Sequence, residues 1–532
     1  MDKLAIELQA DTIPSIVIEA ASKYAEITAI RDGKESLSYA ELPSKTFEVA
    51  KGLMSLGVEK GDRVAIWAPN SLRWILAAIG LQMAGAVLVP LNTRMKALEA
   101  KAIIERSGAK VLLCVGDFLS KDYAHEIQQS APTCLEKIVV MSSRAAPLKP
   151  QMLDWGDMIF RGDATSESQL LERLADLKPS DASDLMFTSG TTGKPKGVVS
   201  VHRACIQAFR EYVRVLKLKP GERYLVINPF FHTFGYKAGW VAGLLAGTTI
   251  LPEQVFDADT VLHRIESERI NILPGPPTLY LSLLAHPTLE HRDLSSLRVA
   301  VTGASTIPPV LIESMRNTLG IETVTTAYGL TECGGLATIC DPTSSADVIA
   351  QTSGSAIDGT EVAIFDQDGN ALPKGQSGEV CIRGFHVMKA YFEDPKATAD
   401  TIDENHWLHT GDIGELDADG NLKITGRIKD MFIVGGFNCY PAEIEAALAE
   451  NQQIEQSAVI GVPDERMGEV GCAYIVVKNG CTLDEAEVIR WSRERMSNYK
   501  VPRYVRFVDS LPVNASNKVL KNELVQQFNL NA

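Results

Sequence analysis

Over the first 426 residues, short apolar runs alternate with segments of helical periodicity. Asp62–Trp67, Ala86–Pro90 and Lys110–Val115 read as buried strands, with helical stretches between them. Leu185–Thr188, Tyr224–Asn228, Thr248–Pro252, Ile270–Pro274 and Leu297–Thr302 continue the series. Parallel strands need long crossovers, and helices supply them. The alternation therefore predicts an α/β fold, a mostly parallel sheet covered by helices on both faces. Ile30–Tyr39 departs from it and reads as a hairpin turning at Asp32-Gly33. A helix follows over Tyr39–Leu56. The run Trp74–Leu91 is the longest apolar stretch, broken by Gln82, Gly85 and Pro90. A membrane span needs roughly 20 apolar residues, so a buried helix entering a buried strand is the better reading, and no integral membrane segment is expected.

After Val348 the texture changes to short segments punctuated by Asp and Gly, at Asp366–Gly369, Gly375–Gly378 and Asp417–Gly420. This is antiparallel turn chemistry and predicts a small β-rich subdomain over about 348–426. The run Gly426–Asp430 marks a second break. Beyond it, Pro441 opens a helical segment. Ser457–Val462, Gly471–Val477 and Tyr504–Val508 read as strands, and Leu483–Ser497 as a helix. The expected organisation is a large domain over 1–426, a connector at 427–430 and a small α+β domain over 431–532. A chain of 532 residues has ample core for this without disulfide or metal staples.

Charge narrows the function. With 52 basic and 67 acidic residues the chain carries −15, a poor match to a nucleic-acid backbone, so no nucleic-acid partner is expected. Nine cysteines, odd in number and without a C-x-x-C pair, read as free thiols in a reducing compartment. The opening run MDKLAIELQADTIPS has acids and no long apolar region, and is not read as a signal peptide. A cytoplasmic location is the expectation. A monomer and a homo-oligomer are both compatible with these features.

The most informative run is Thr188-Ser-Gly-Thr-Thr-Gly-Lys-Pro-Lys-Gly197, directly after an apolar strand. Its glycines let backbone amides approach an anion, and its hydroxyls and lysines add donors. It suits the phosphates of a nucleotide but is not a Walker A loop. Thr188 stands where that motif needs its first glycine, and Pro195 where it needs Ser or Thr.

This run resembles the signature loop of the adenylate-forming superfamily of acyl-CoA synthetases, luciferases and adenylation domains. Tyr328-Gly-Leu-Thr-Glu332, His409-Thr-Gly-Asp412, Gly426-Arg427, Lys429-Asp430, Gly435-Gly436 and Lys518 occur in that family's order. The resemblance implies a large domain with a small mobile C-terminal domain hinged near Lys429. It also implies two half-reactions: a carboxylic acid and ATP give acyl-AMP and pyrophosphate, and CoA then displaces AMP. It places Thr188, Ser189, Gly190, Thr191, Thr192 and Lys196 on phosphates. Thr331 falls at the α-phosphate and Glu332 on Mg²⁺. Tyr328 lines the adenine pocket, Asp412 takes the ribose, and Arg427 and Ser305 contact the nucleotide. Lys518 bridges substrate carboxylate and phosphate, although Asn517 stands where the family usually has glycine. Lys429, Gly435, Gly436 and Phe437 are assigned to the CoA half-reaction. Gly435-Gly436 also reads simply as a tight turn after a strand.

The same resemblance places the acyl pocket at Asn228–Tyr236, with His232 at the pocket floor or on the carboxylate, beside Phe234 and Gly235. Gly303, Ala304, Ala327 and Gly329 continue it. The run lacks the Asp that pairs with an amino-acid substrate, so an apolar acid is expected. Ile227–Gly239, Gly275–Leu284 and the TAYGLTE run are similar to bacterial CoA ligases of steroid-ring catabolism, which act on a propanoate carried by a bicyclic ketone. Lys237 then reads either as a partner of a keto oxygen or as a supporting lysine. A medium- or long-chain fatty acid is the rival substrate. A luciferase-like oxygenase and a non-catalytic nucleotide-binding scaffold are the remote alternatives.

Overall fold

The computed structural model describes residues 10–142, 148–188, 195–303, 307, 309–366, 368–427, 431–439, 441–512 and 519–530, without the side chains of 425–427, 438, 442, 446, 522 and 530. An eight-stranded sheet holds the strands Ala390–Tyr391, Lys196–Val201, Ala182–Thr188, Val87–Pro90, Arg63–Trp67, Val111–Cys114, Lys137–Val140 and Met152–Asp154, in that spatial order. Its members from Ala182–Thr188 to Met152–Asp154 run parallel. Lys196–Val201 returns antiparallel to Ala182–Thr188. The expected α/β alternation is therefore present, and the two strands that flank residues 189–194 pair antiparallel.

A second sheet aligns Arg223–Val226, Thr249–Pro252 and Thr28–Asp32 in parallel, with Glu35–Ser38 antiparallel at its edge. The expected hairpin at Asp32-Gly33 is here, with Gly33 at φ +58°. Val299–Thr302 pairs in parallel with Thr323–Tyr328. Ile272 joins these groups through isolated bridges to Tyr224 and Val299. The strand expected over Ile270–Pro274 is reduced to that bridging residue. Pro274, Pro276 and Pro277 remove the backbone donors that a longer ladder would use.

Between the sheets lies the helix Leu72–Met83, capped by Ser71, whose hydroxyl accepts from the Trp74 N–H. Nearly every side chain on it is buried, as a helix apolar on all sides requires. Gln82 is its buried polar exception. Its amide donates to the Ser183 carbonyl and the Tyr236 hydroxyl, at 3.0 Å each. Among the described residues, no helix is long and apolar enough to cross a membrane.

The β-rich region is a four-stranded antiparallel sheet of Thr360–Phe365, Gly378–Gly384, Leu408–Leu416 and Leu422–Arg427. The C-terminal region builds its own sheet and core. Ile454–Asp464 and Gly468–Val477 pair over their length, the hairpin Phe432–Val434/Phe437–Cys439 joins one edge, and Tyr504–Phe507 runs parallel to Gly468–Val477. The helices Pro441–Ala449 and Glu485–Arg495 accompany them. The molecule thus has a large N-terminal and a small C-terminal domain. All nine cysteines are free thiols.

Candidate active site

In open α/β sheets, ligands bind in the crevice beyond the carboxyl ends of the strands. Here several strands end at residues of the sequence motifs. Thr188 ends Ala182–Thr188, Gly303 follows Val299–Thr302, Tyr328 ends Thr323–Tyr328, and Asn228 follows Arg223–Val226 by two residues. The sheets thereby deliver chemistry from distant parts of the chain to one region.

Glu332 lies in a short 3₁₀ turn, Thr331–Cys333, just after Tyr328. Its carboxylate accepts from the Tyr391 hydroxyl at 2.8 Å and faces the Thr188 hydroxyl at 3.5 Å. The Lys196 ammonium sits 4.7 Å from the centre of the Tyr391 ring. Thr188, Lys196 and Glu332 are therefore neighbours, organised by a tyrosine that the sequence motifs do not include. Tyr391 sits in the two-residue edge strand Ala390–Tyr391, paired with Val198–Val199, and no local pattern marks it. Among the described residues, the hydrogen-bond partners of the Glu332 carboxylate are these two hydroxyls. A hard carboxylate beside a phosphate-type loop fits Mg²⁺, which is usually held by one or two carboxylates plus phosphate oxygens.

Tyr328 donates to Asp412 Oδ2 at 2.6 Å, joining the nucleotide motifs of two sheets. Burial is the main cause raising the Tyr328 pKa, followed by the Asp412 charge, so the phenol stays a protonated donor. Asp412 is buried, and its strand is tied down nearby. Glu379 Oε1 accepts from the Gly411 N–H at 3.1 Å, and Glu379 Oε2 lies 2.8 Å from His409 Nδ1. The backbone of Arg427 pairs with Asp412. Its side chain lies outside the described residues, as do Ser189, Gly190, Thr191, Thr192, Ala304, Ser305, Lys429 and Lys518. Gly329 admits no side chain, because a Cβ there would come within 2.5 Å of the Gly335 backbone.

The acyl-pocket segment is held by buried amides. Asn70 donates to the carbonyls of Val226 and Asn228 and accepts from the Phe230 N–H. Asn228 donates to the Pro274 carbonyl at 3.0 Å. His232 Nδ1 accepts from the Phe234 N–H at 3.2 Å and caps the turn Thr233–Gly235. A neutral ring that accepts at Nδ1 carries its proton on Nε2, so that edge is a donor. His232 keeps accessible surface, and desolvation by the protein around it lowers its pKa. Phe234 is half-buried and packs against the main core. Gly303 and Ala327 face each other across adjacent strand ends, a Cβ on Gly303 falling 3.3 Å from the Ala327 carbonyl oxygen.

Of the two readings of Lys237, the geometry favours the supporting lysine. It is fully buried in a π-helical turn, Tyr236–Val241, with its ammonium 3.1 Å from Asp184 and 3.0 Å from the Ser200 hydroxyl. Asp184 and Ser200 lie on the two antiparallel strands that flank the phosphate-type run. The ammonium is spent on a buried ion pair, because an isolated buried charge is far costlier than a paired one. Gly435 and Gly436 have φ +55° and +84° and form the two-residue turn of the hairpin Phe432–Cys439. The turn reading of this pair is therefore met.

Residues 17–392 match the model of the AMP-binding enzyme family, and residues 443–518 match the AMP-binding enzyme C-terminal domain. The chain is 46% identical over 521 residues to the 3-(7a-methyl-1,5-dioxo-octahydro-1H-inden-4-yl)propanoyl:CoA ligase of Rhodococcus jostii strain RHA1, covering 98% of this chain and 99% of that one. It superposes on the o-succinylbenzoate CoA synthetase of Bacillus subtilis bound to its product analogue OSB-NCoA with a TM-score of 0.80 at 27% identity, covering 96% of this chain and 98% of that one. Against ATP-bound MatB from Rhodopseudomonas palustris the TM-score is 0.68, again at 27% identity, covering 97% and 99%. With both family modules matched and a full-length relative at this identity, the chain belongs to the AMP-binding enzymes, and among them to the AMP-forming acyl-CoA synthetases.

Proposed function

We propose that the enzyme activates a propanoate carried on a bicyclic ketone as its acyl-AMP and transfers the acyl group to CoA. The observation that carries the substrate is the full-length relative named for such an acid. Half-buried Phe234 beside buried Gly235 is compatible with an apolar acid.

In the first half-reaction a carboxylate oxygen attacks the ATP α-phosphorus, and the bond to pyrophosphate breaks. Anion meets anion, so the site must supply donors and positive charge. Thr188 and Lys196 flank the phosphate loop for this purpose. The loop residues Ser189, Gly190, Thr191 and Thr192 are assigned to the same phosphates, with Thr331 at the α-phosphate. Glu332 would hold Mg²⁺, which when bound offsets charge on the phosphate oxygens. Asp412 offers the ribose diol a carboxylate. The Tyr328 hydroxyl orients that carboxylate, and its ring is assigned to the adenine pocket, with Ser305 and Arg427 assigned to the nucleotide. The His232 Nε2–H serves as a neutral donor to the substrate carboxylate. Lys518 supplies a charge from the small domain. In the second half-reaction the CoA thiol attacks the acyl carbonyl carbon and AMP leaves. Lys429, Gly435, Gly436 and Phe437 are assigned to this step, the last three as the wall of the pantetheine path.

The test is thioester formation followed by mass spectrometry, with ATP, Mg²⁺, CoA and a panel of acids. Preferential use of the bicyclic keto-propanoate is expected. Preference for straight-chain acids would refute the substrate while leaving the two half-reactions. Pyrophosphate release without any thioester would refute CoA as acceptor.

A further inference from the structure

Lys500 stands out among the charged residues that the proposed chemistry does not use. It belongs to the small domain, its side chain is 6% exposed, and it lies between two carboxylates. Its ammonium is 3.0 Å from Glu99 of the large domain and also pairs with Glu443 of the small domain. Ser497 donates to the other Glu99 oxygen at 3.2 Å. Glu99 Oε2 also caps its own helix by accepting from the Lys96 N–H.

Two further contacts land on the same stretch of the large domain. Asn92 donates to the Tyr499 hydroxyl at 3.3 Å. Arg94 lies 4.5 Å from the centre of the Phe437 ring, and that ring stacks on Tyr499 at 4.7 Å. The stretch begins just after the strand Val87–Pro90, so it is rigidly placed. These contacts position the turn at Gly435-Gly436. A Cβ on Gly436 would lie 3.8 Å from Pro276, in the segment that follows Asn228's partner Pro274.

We infer that Lys500, held between Glu99 and Glu443, is a positioning residue: an interdomain clamp that sets the Gly435-Gly436 turn against the acyl pocket for thioester formation. The inference rests on the acid–CoA ligase reading above. Its physical basis is asymmetric. With Lys500 in place, three charges sum to one negative charge shared across the interface. Without it, Glu99 and Glu443 face each other and repel. Loss of the lysine therefore opens the interface more than loss of Glu99 does.

The experiment compares wild type with Glu99→Gln, Lys500→Gln and the double variant in two single-turnover assays. One follows pyrophosphate release from acid and ATP without CoA. The other follows thioester formation from supplied acyl-AMP and CoA. Glutamine at 99 keeps an oxygen to cap its helix, so this variant keeps its fold. The expected result is pyrophosphate release within about twofold of wild type in every variant. Thioester formation falls about tenfold or more for Lys500→Gln, as for one lost partner of a buried charge pair, and less for Glu99→Gln. The double variant falls no further than Lys500→Gln. Equal loss of both half-reactions, no loss of either, or losses that multiply in the double variant would overturn the clamp. A wild-type enzyme that releases pyrophosphate but makes no thioester would overturn the ligase reading itself, and is seen before any variant is compared.

Discussion

Replacing Lys237 by Met separates a structural lysine from a substrate-recognising one. Lys237 and Asp184 are both 0% exposed and 3.1 Å apart. Removing the ammonium strands a buried carboxylate, which costs about 3–5 kcal/mol. At about 2 °C per kcal/mol for a large domain, the melting midpoint of the N-terminal domain falls by about 6–10 °C. Replacing both partners, Lys237→Met with Asp184→Asn, removes the charge along with its counter-ion. The double variant should recover most of that loss, giving a strong favourable coupling in a double-mutant cycle. Specificity gives the opposite test. A lysine bonded to a keto oxygen contributes about 1.5–3 kcal/mol, which is roughly a 10- to 150-fold preference over the deoxo acid at about 1.4 kcal/mol per tenfold. Because the ammonium is already committed to Asp184 and Ser200, the ratio of kcat/KM for the keto acid and its deoxo analogue should stay within about twofold in the double variant. A tenfold collapse of that ratio in a variant that melts like wild type would refute the buried-staple assignment.

Three further outcomes follow from the geometry. Glu332→Gln keeps the Tyr391 hydrogen bond but loses the charge, so pyrophosphate release at saturating Mg²⁺ should fall by about 10²–10³, the scale of one lost transition-state contact; an unchanged Mg²⁺ dependence would count against the metal assignment. Tyr328→Phe removes the 2.6 Å donor to Asp412 and should raise the KM for ATP about tenfold, since a bond to a charged group contributes about 1.5–3 kcal/mol, while the KM for the acid holds; equal change in both would contradict it. His202 and His386 are each 1% exposed, and burial drives the pKa of each down from 6.5 to about 4. The folded state thus favours the neutral rings, so this stability is full above pH 6.5 and is lost as pH falls towards 4. Each contributes up to about 3 kcal/mol by linkage. His386→Gln, at the ring that contacts the Thr360 hydroxyl, should flatten the fall in melting temperature between pH 6.5 and 4.5; an unchanged slope would contradict the burial argument.

Much of this architecture is legible in local sequence. The run Trp74–Leu91 reads as a buried helix entering a buried strand because its apolar residues cover every face, and the structure has Leu72–Met83 followed by Val87–Pro90. Asp32-Gly33 and Gly435-Gly436 announce their turns because few residues accept positive φ. The nucleotide motifs are legible for a similar reason: a loop that cradles phosphate needs glycines, hydroxyls and lysines in one short run, so its chemistry is written in consecutive residues. Where the chain departs from expectation, at Ile270–Pro274, prolines limit the ladder that its apolar pattern suggests.

Partnerships across the fold are a different matter. Tyr391 meets Glu332 across 59 residues, and Lys500 meets Glu99 across 401. Lys237 carries the same one-letter signal whether it faces a substrate or a buried aspartate. A side chain's composition states what charge it carries and which bonds it can make. Only the packed sheets decide whether water, a substrate or another side chain stands within 3 Å to take them, because burial and counter-ion placement are properties of elements brought together from distant sequence.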